Sequence, residues 1–156
     1  MKKVLVLLLA ALLAGACKAN ISRNEDGSVT VETSISQGEL QEVINTSLAD
    51  PLIKNLTVSL QSGYVLVSGE RARLNDASKT DTLSFRLDLG VSNGQLTSSI
   101  SNAQIDGVAV EQNRVDLWNE RISNRLSNLA KKNENSTLQS VTITSADVTM
   151  VWIVKK

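Results

Sequence analysis

No histidine occurs in the 156 residues, so the usual general base and the commonest metal ligand are both missing. Ser-His-Asp, Cys-His and histidine-metal chemistry are thereby excluded. Cys17 is the sole thiol, and no disulfide can form within the chain. What remains is a cationic pattern. On a helical projection Arg114, Arg121, Arg125 and Lys132 fall within about 40° of one another, while Val115, Trp118, Ile122, Leu126 and Leu129 centre about 80° away. A basic stripe beside an apolar one has two readings. In the first, the apolar stripe faces an acyl chain and Arg114, Arg121 and Arg125 meet an anionic headgroup at the mouth. In the second, this is a core helix whose arginines lie in solvent along its flank.

No nucleotide-binding glycine motif, paired-cysteine metal motif or nucleophile elbow is present. Asp81 and Asp88, seven residues apart on one expected strand, point to opposite faces and form no carboxylate pair. The expectation is a protein that is not an enzyme and has no metal or cofactor. Lys plus Arg and Asp plus Glu are 16 each, so there is no basic excess, and the few aromatics are not interleaved with basic residues. Nucleic-acid binding is not expected.

The stripe must be carried by a helix over Glu111 to Lys132, because its apolar spacing of three and four is impossible for a half-buried strand. Those 22 residues would run roughly 33 Å at about 1.5 Å each. Ahead of it, Ser28 to Ile35 alternates apolar and polar residues as a strand does. Ser36 and Glu39 then fit a capping box, opening a short helix whose face is Leu40, Val43, Ile44 and Leu48, until Asp50-Pro51 ends it. Leu56 to Gln61 and Tyr64 to Val67 read as a hairpin about Ser62-Gly63, and Gly69 to Lys79 as a polar loop. Thr82 to Val91, with Leu83, Phe85, Leu87 and Leu89 on one side, is the cleanest strand and the expected sheet centre.

After the Asn93-Gly94 turn, Gln95 to Ile105 changes apolar phase, which predicts a bulge near Ser101-Asn102. Two further runs lie within Leu138 to Val154, with a break at Ser145 to Asp147. The expected fold class is α+β: one curved antiparallel sheet of five to seven strands wrapped around the long C-terminal helix, plus one short N-terminal helix. Chain length suits a single domain, 28–156.

Met1 to Ala16 has two lysines, an apolar run from Val4 to Leu13 and then small residues, the layout of a secretory signal peptide. The run is short of the roughly 20 residues of a membrane span. Removing it takes Lys2 and Lys3 away, leaving 14 positive against 16 negative residues, a charge of −2. Ala14-Gly15-Ala16-Cys17 resembles the lipobox of bacterial lipoproteins. That resemblance implies acylation of Cys17, as by palmitate, and a protein exported to the cell envelope and held to a membrane by its N-terminus. Residues 17–27, polar up to Asp26-Gly27, would be the lipidated tether. The alternative is ordinary cleavage near Ala16 or Ala19, which leaves a soluble exported protein.

The order strand, helix, hairpin, bent strand pair, long helix, terminal strands resembles the small LmeA-like envelope proteins of the tubular lipid-binding superfamily. The residues that carry this likeness are Ile35 to Leu48, Asn55 to Gly69, Thr82 to Leu96 and the closing LQSVTITSADVTMVW. It implies binding of a lipid or other apolar small molecule between helix and curved sheet. The residues placed to line such a site are Leu40, Val43, Ile44, Phe85, Leu87, Leu89, Trp118, Ile122, Leu126 and Trp152. A ligand-free interaction module of the envelope is the other function these patterns allow.

Overall fold

The computed structural model describes residues 19–130 and 135–155. The expected signal peptide, Cys17, Lys18 and Lys132 lie outside the described residues. The chain is α+β, with elements in the order β1 (Ala19–Arg23), β2 (Val29–Ser36), α1 (Gln37–Leu48), β3 (Ile53–Gln61) and β4 (Tyr64–Ala72). There follow β5 (Thr80–Ser92), β6 (Gln95–Ile105), β7 (Val108–Ala109), α2 (Gln112–Ala130), β8 (Ser136–Ile143) and β9 (Asp147–Val154). These strands form two antiparallel sheets, of order β1-β2-β9-β8 and β3-β4-β5-β6-β7. This corrects the expectation of one sheet of five to seven strands.

Hydrogen bonding explains the division. The capping box forms as expected: the Ser36 hydroxyl accepts from the Glu39 amide, and the Glu39 carboxylate accepts from the Ser36 amide at 2.8 Å. It turns the chain out of β2 straight into α1, and α1 then lies along the outer edge of β3. The Val58 and Leu60 amides, which would otherwise seek another strand, donate to the side-chain carbonyls of Gln41 and Gln37 at 3.2 and 3.3 Å. At the opposite edge α2 does the same for β6. The Ile100 amide donates to Asn119 Oδ1 at 2.8 Å, the Ser123 hydroxyl donates to the Leu96 carbonyl, and the Ser98 hydroxyl donates to the Asn119 carbonyl. Two helices that also pack on each other thus occupy both long edges of the five-stranded sheet.

The sheets meet at β8. The Gly63 amide in the β3–β4 turn donates to the Ile143 carbonyl, and the Leu138 amide donates to the Gly94 carbonyl in the β5–β6 turn. Since 138 and 143 lie at opposite ends of β8, this strand crosses the tips of both hairpins. Gly94 is required there: its φ is +72°, and a Cβ would collide with the Thr137 side chain.

The expected bulge is present. Ser84 faces Gln104 and Arg86 faces Ser101, so Asn102 and Ala103 together oppose Phe85, with Asn102 at φ 53°. Two expectations need correction. Residues 69–72, assigned to a loop, extend β4 in unbroken register with β5; the residue that continues the buried row of Val65 and Val67 is Gly69, which gives no apolar signal. The described part of the segment assigned to a tether, residues 19–27, forms β1 and a turn. Its strand pairs fully with β2 yet every residue is exposed, so it carries no alternation.

Candidate functional site

Apolar residues from both helices and both sheets merge in one buried cluster. It contains Leu40, Val43, Ile44, Phe85, Leu87, Trp118, Ile122, Leu126 and Trp152, while Leu89 is half-buried against it. All ten residues expected to line a ligand site therefore touch this core. The rings of Phe85 and Trp118 are 5.9 Å apart in a tilted pair, filling the space between β5 and α2 with protein.

Space for a ligand lies beside the core, in a cleft of about 740 Å³ between β2, α1 and α2. That volume is within the roughly 300–1,000 Å³ typical of small-molecule sites. From β2 come Thr33, Ser34 and Ile35; from α1, Glu39, Glu42, Val43 and Thr46; from α2, Arg125, Asn128 and Leu129. Local structure explains the composition. Thr33 and Ile35 belong to the rows Thr33–Met150–Val141 and Ile35–Val148–Ile143, so they are on the sheet face that turns toward the core. Glu42, Val43 and Thr46 are spaced three and four apart on α1, as are Arg125, Asn128 and Leu129 on α2.

Two apolar-to-polar mismatches mark this cleft. Leu129 belongs to the apolar stripe of α2 but is 55% exposed, whereas its stripe partners Val115, Trp118, Ile122 and Leu126 are buried. Thr33 is 6% exposed, and its hydroxyl, set among apolar neighbours, has no hydrogen-bond partner. A valine in its place would leave no such group, and the signal for it in the sequence is a threonine in the apolar phase of Val29, Val31 and Ile35.

The basic stripe is divided by the fold. Arg125 alone lines the cleft, and its guanidinium has no ion-pair partner among the described residues. Arg114 and Arg121 are exposed elsewhere along α2, with Arg114 near enough to Asp50 to act on its charge. Two carboxylates, Glu39 and Glu42, line the same cleft from α1.

A smaller cavity of about 330 Å³ lies at the β5–β6 turn and α2, lined by Asn93, Gln95, Asn124, Asn128, Thr137 and Trp152 among others. The Trp152 indole N–H is buried and unpartnered.

Perturbed carboxyls stand at turns and none lines either space. The Ser28 hydroxyl and amide lower Asp26, and the Ser78 hydroxyl lowers Asp76. Burial raises Asp50, but the Leu52 amide and the Arg71 guanidinium outweigh it, so its net shift is downward. Asp81 and Asp88 pair with Arg73 and Arg86 at 2.6 Å each. Among the described residues no group of three or more acidic, cysteine or histidine side chains could hold a metal, and no helix is long and apolar enough to cross a membrane. Compared with models of known families, with curated proteins and with solved structures, the chain matches none.

Proposed function

We propose that this is a lipoprotein of the bacterial cell envelope, exported, anchored through acylated Cys17, and binding an acyl chain or similar apolar ligand between helix and sheet without catalysing a reaction on it. The observation that carries this reading is the cleft of about 740 Å³ bounded by Ile35, Val43 and an uncovered Leu129. Apolar surface left open beside a closed core is stabilised by covering it, at roughly 25 cal/mol per Å². The site is thus moved from the interior, where the sequence patterns place it, to the space between β2 and the two helices. Arg125 is the basic residue placed to meet the ligand's polar end.

The finer architecture and the likeness to the tubular lipid-binding superfamily belong to the same proposal. On it, the two sheets joined along β8 act as a single curved wrap around α2. The backbone bonds of Gly63 and Leu138 across the sheets and the packing of α2 on β6 support that view.

The test is native mass spectrometry with lipid extraction on the full chain purified from envelope membranes. Co-purified acyl species are expected, and Leu129→Glu should reduce them at least tenfold. Leu117→Glu, at a leucine of α2 that is 42% exposed and outside the cleft, should leave them unchanged. Equal effects of the two variants would remove the cleft from the reading. A second function, a ligand-free interaction module, is favoured by the ten inward residues all packing on one core and by the outer edge of β1, which pairs with no further strand among the described residues. It predicts a clean apo mass and no uptake of a fluorescent fatty acid.

A further inference from the structure

Ala19, the first described residue, is already within β1 and stands opposite Thr33 on the cleft wall. The two strands are antiparallel, with Ala19 facing Thr33 and Arg23 facing Val29. Ser34 and Ile35 of the cleft wall follow Thr33 on β2, so Ala19 is the β1 residue paired nearest to the start of α1. Cys17 is two residues from Ala19, and two residues span at most about 7 Å. Residues 19–23 of the expected tether are held in β1, so less of it is left to separate the domain from Cys17.

Resting on the reading of Cys17 as acylated and of the cleft as an acyl site, we propose that the resident ligand of the cleft is one of the chain's own Cys17 acyl groups. Tethering makes the encounter intramolecular, at an effective concentration in the millimolar range or above for so short a connection. Apolar surface leads the way in: Ile21, 72% exposed, shares the inward face of its sheet with Thr33, and Leu129 waits uncovered across the cleft. Charge argues for the same occupant. Glu39 (already engaged by Ser36), Glu42 and Arg125 line the walls, a set without the basic excess among the described residues that would draw an anionic headgroup, and one that accepts the uncharged amide or ester of a cysteine-linked chain. Arg125 can donate hydrogen bonds to the carbonyl of that linkage.

A photoreactive benzophenone residue at position 46 tests this. Thr46 is exposed and lines the cleft, so the substitution leaves the core intact. The full chain, purified from envelope membranes, is irradiated, digested with trypsin and read by mass spectrometry. Expected is a product joining the lipid-modified Cys17-Lys18 fragment to the Asn24–Lys54 fragment, absent when the probe is placed at Asn75 in the β4–β5 loop. Cross-links from position 46 to separate bilayer lipids alone would overturn self-occupancy and keep the cleft as an acyl site. No acyl adduct of any kind would overturn both. As a second measurement, an exported Cys17→Ala form should take up a fluorescent fatty acid at least tenfold better than the lipidated chain; equal uptake would also overturn self-occupancy.

Discussion

Replacing Asn119 by alanine isolates the way α2 closes the sheet. Asn119 Oδ1 accepts the Ile100 amide at 2.8 Å, and Ile100 is only 8% exposed, so water cannot readily take over the bond. A shielded donor left without an acceptor costs about 1–3 kcal/mol. Asn119 is half-buried, which favours the lower half of that range. Alanine returns up to about 0.7 kcal/mol through its better helix propensity. The net expectation is a loss of about 1 kcal/mol, or roughly 3–6 °C in Tm for a domain of this size. Asn119→Asp keeps an acceptor oxygen at the same place and should remain within about 0.5 kcal/mol of the parent. Urea unfolding at constant slope gives the energies, and amide hydrogen exchange at Ile100 gives the location. If Asn119→Ala matches the parent in stability and Ile100 stays equally protected, the helix does not close this edge and the account of two sheets given above fails.

Further predictions concern the cleft wall and the turn after α1. Thr33→Val keeps the β-branched shape and removes an unpartnered buried hydroxyl, so stability should rise by about 1 kcal/mol in urea unfolding; a loss would show that the hydroxyl is bonded. Asp50 accepts from the Leu52 amide at 2.9 Å and from Arg71 Nε at 3.0 Å, with both side chains of the ion pair largely buried. Asp50→Asn should therefore cost about 2 kcal/mol at pH 7. Because the folded pKa of Asp50 lies below its ordinary 3.8, the contribution is complete above that value and is lost as pH falls through the folded pKa. The stability gap between parent and Asp50→Asn should accordingly narrow only below about pH 4; a gap that already closes by pH 6 would refute the assignment.

Much of this chain was legible as local pattern. The capping box at Ser36 and Glu39, the apolar face of α1, the stripe of α2, the alternation of β5 and the bulge beside Phe85 all follow from side-chain spacing, because helix and strand periods are set by the backbone alone. Segments that pack through small residues or through backbone bonds were invisible. β4 runs on through Gly69 and Ala72, and β1 holds its place by the ladder to β2 with no buried side chain. At the site, the sequence marked Val43 and Arg125, both of which line the cleft, but it grouped Arg125 with Arg114 and Arg121 and did not separate Leu129 from the buried residues of its stripe. Tertiary structure decided those matters, since whether a stripe is covered depends on how far the neighbouring elements reach. Ile122 and Leu126 are buried while Leu129 on the same stripe is left open, and only the meeting of three elements distant in sequence makes a cleft there. Amino-acid spacing therefore determined which faces of this protein are apolar, and the crossing of chains that no local period records decided which of those faces remain unfilled.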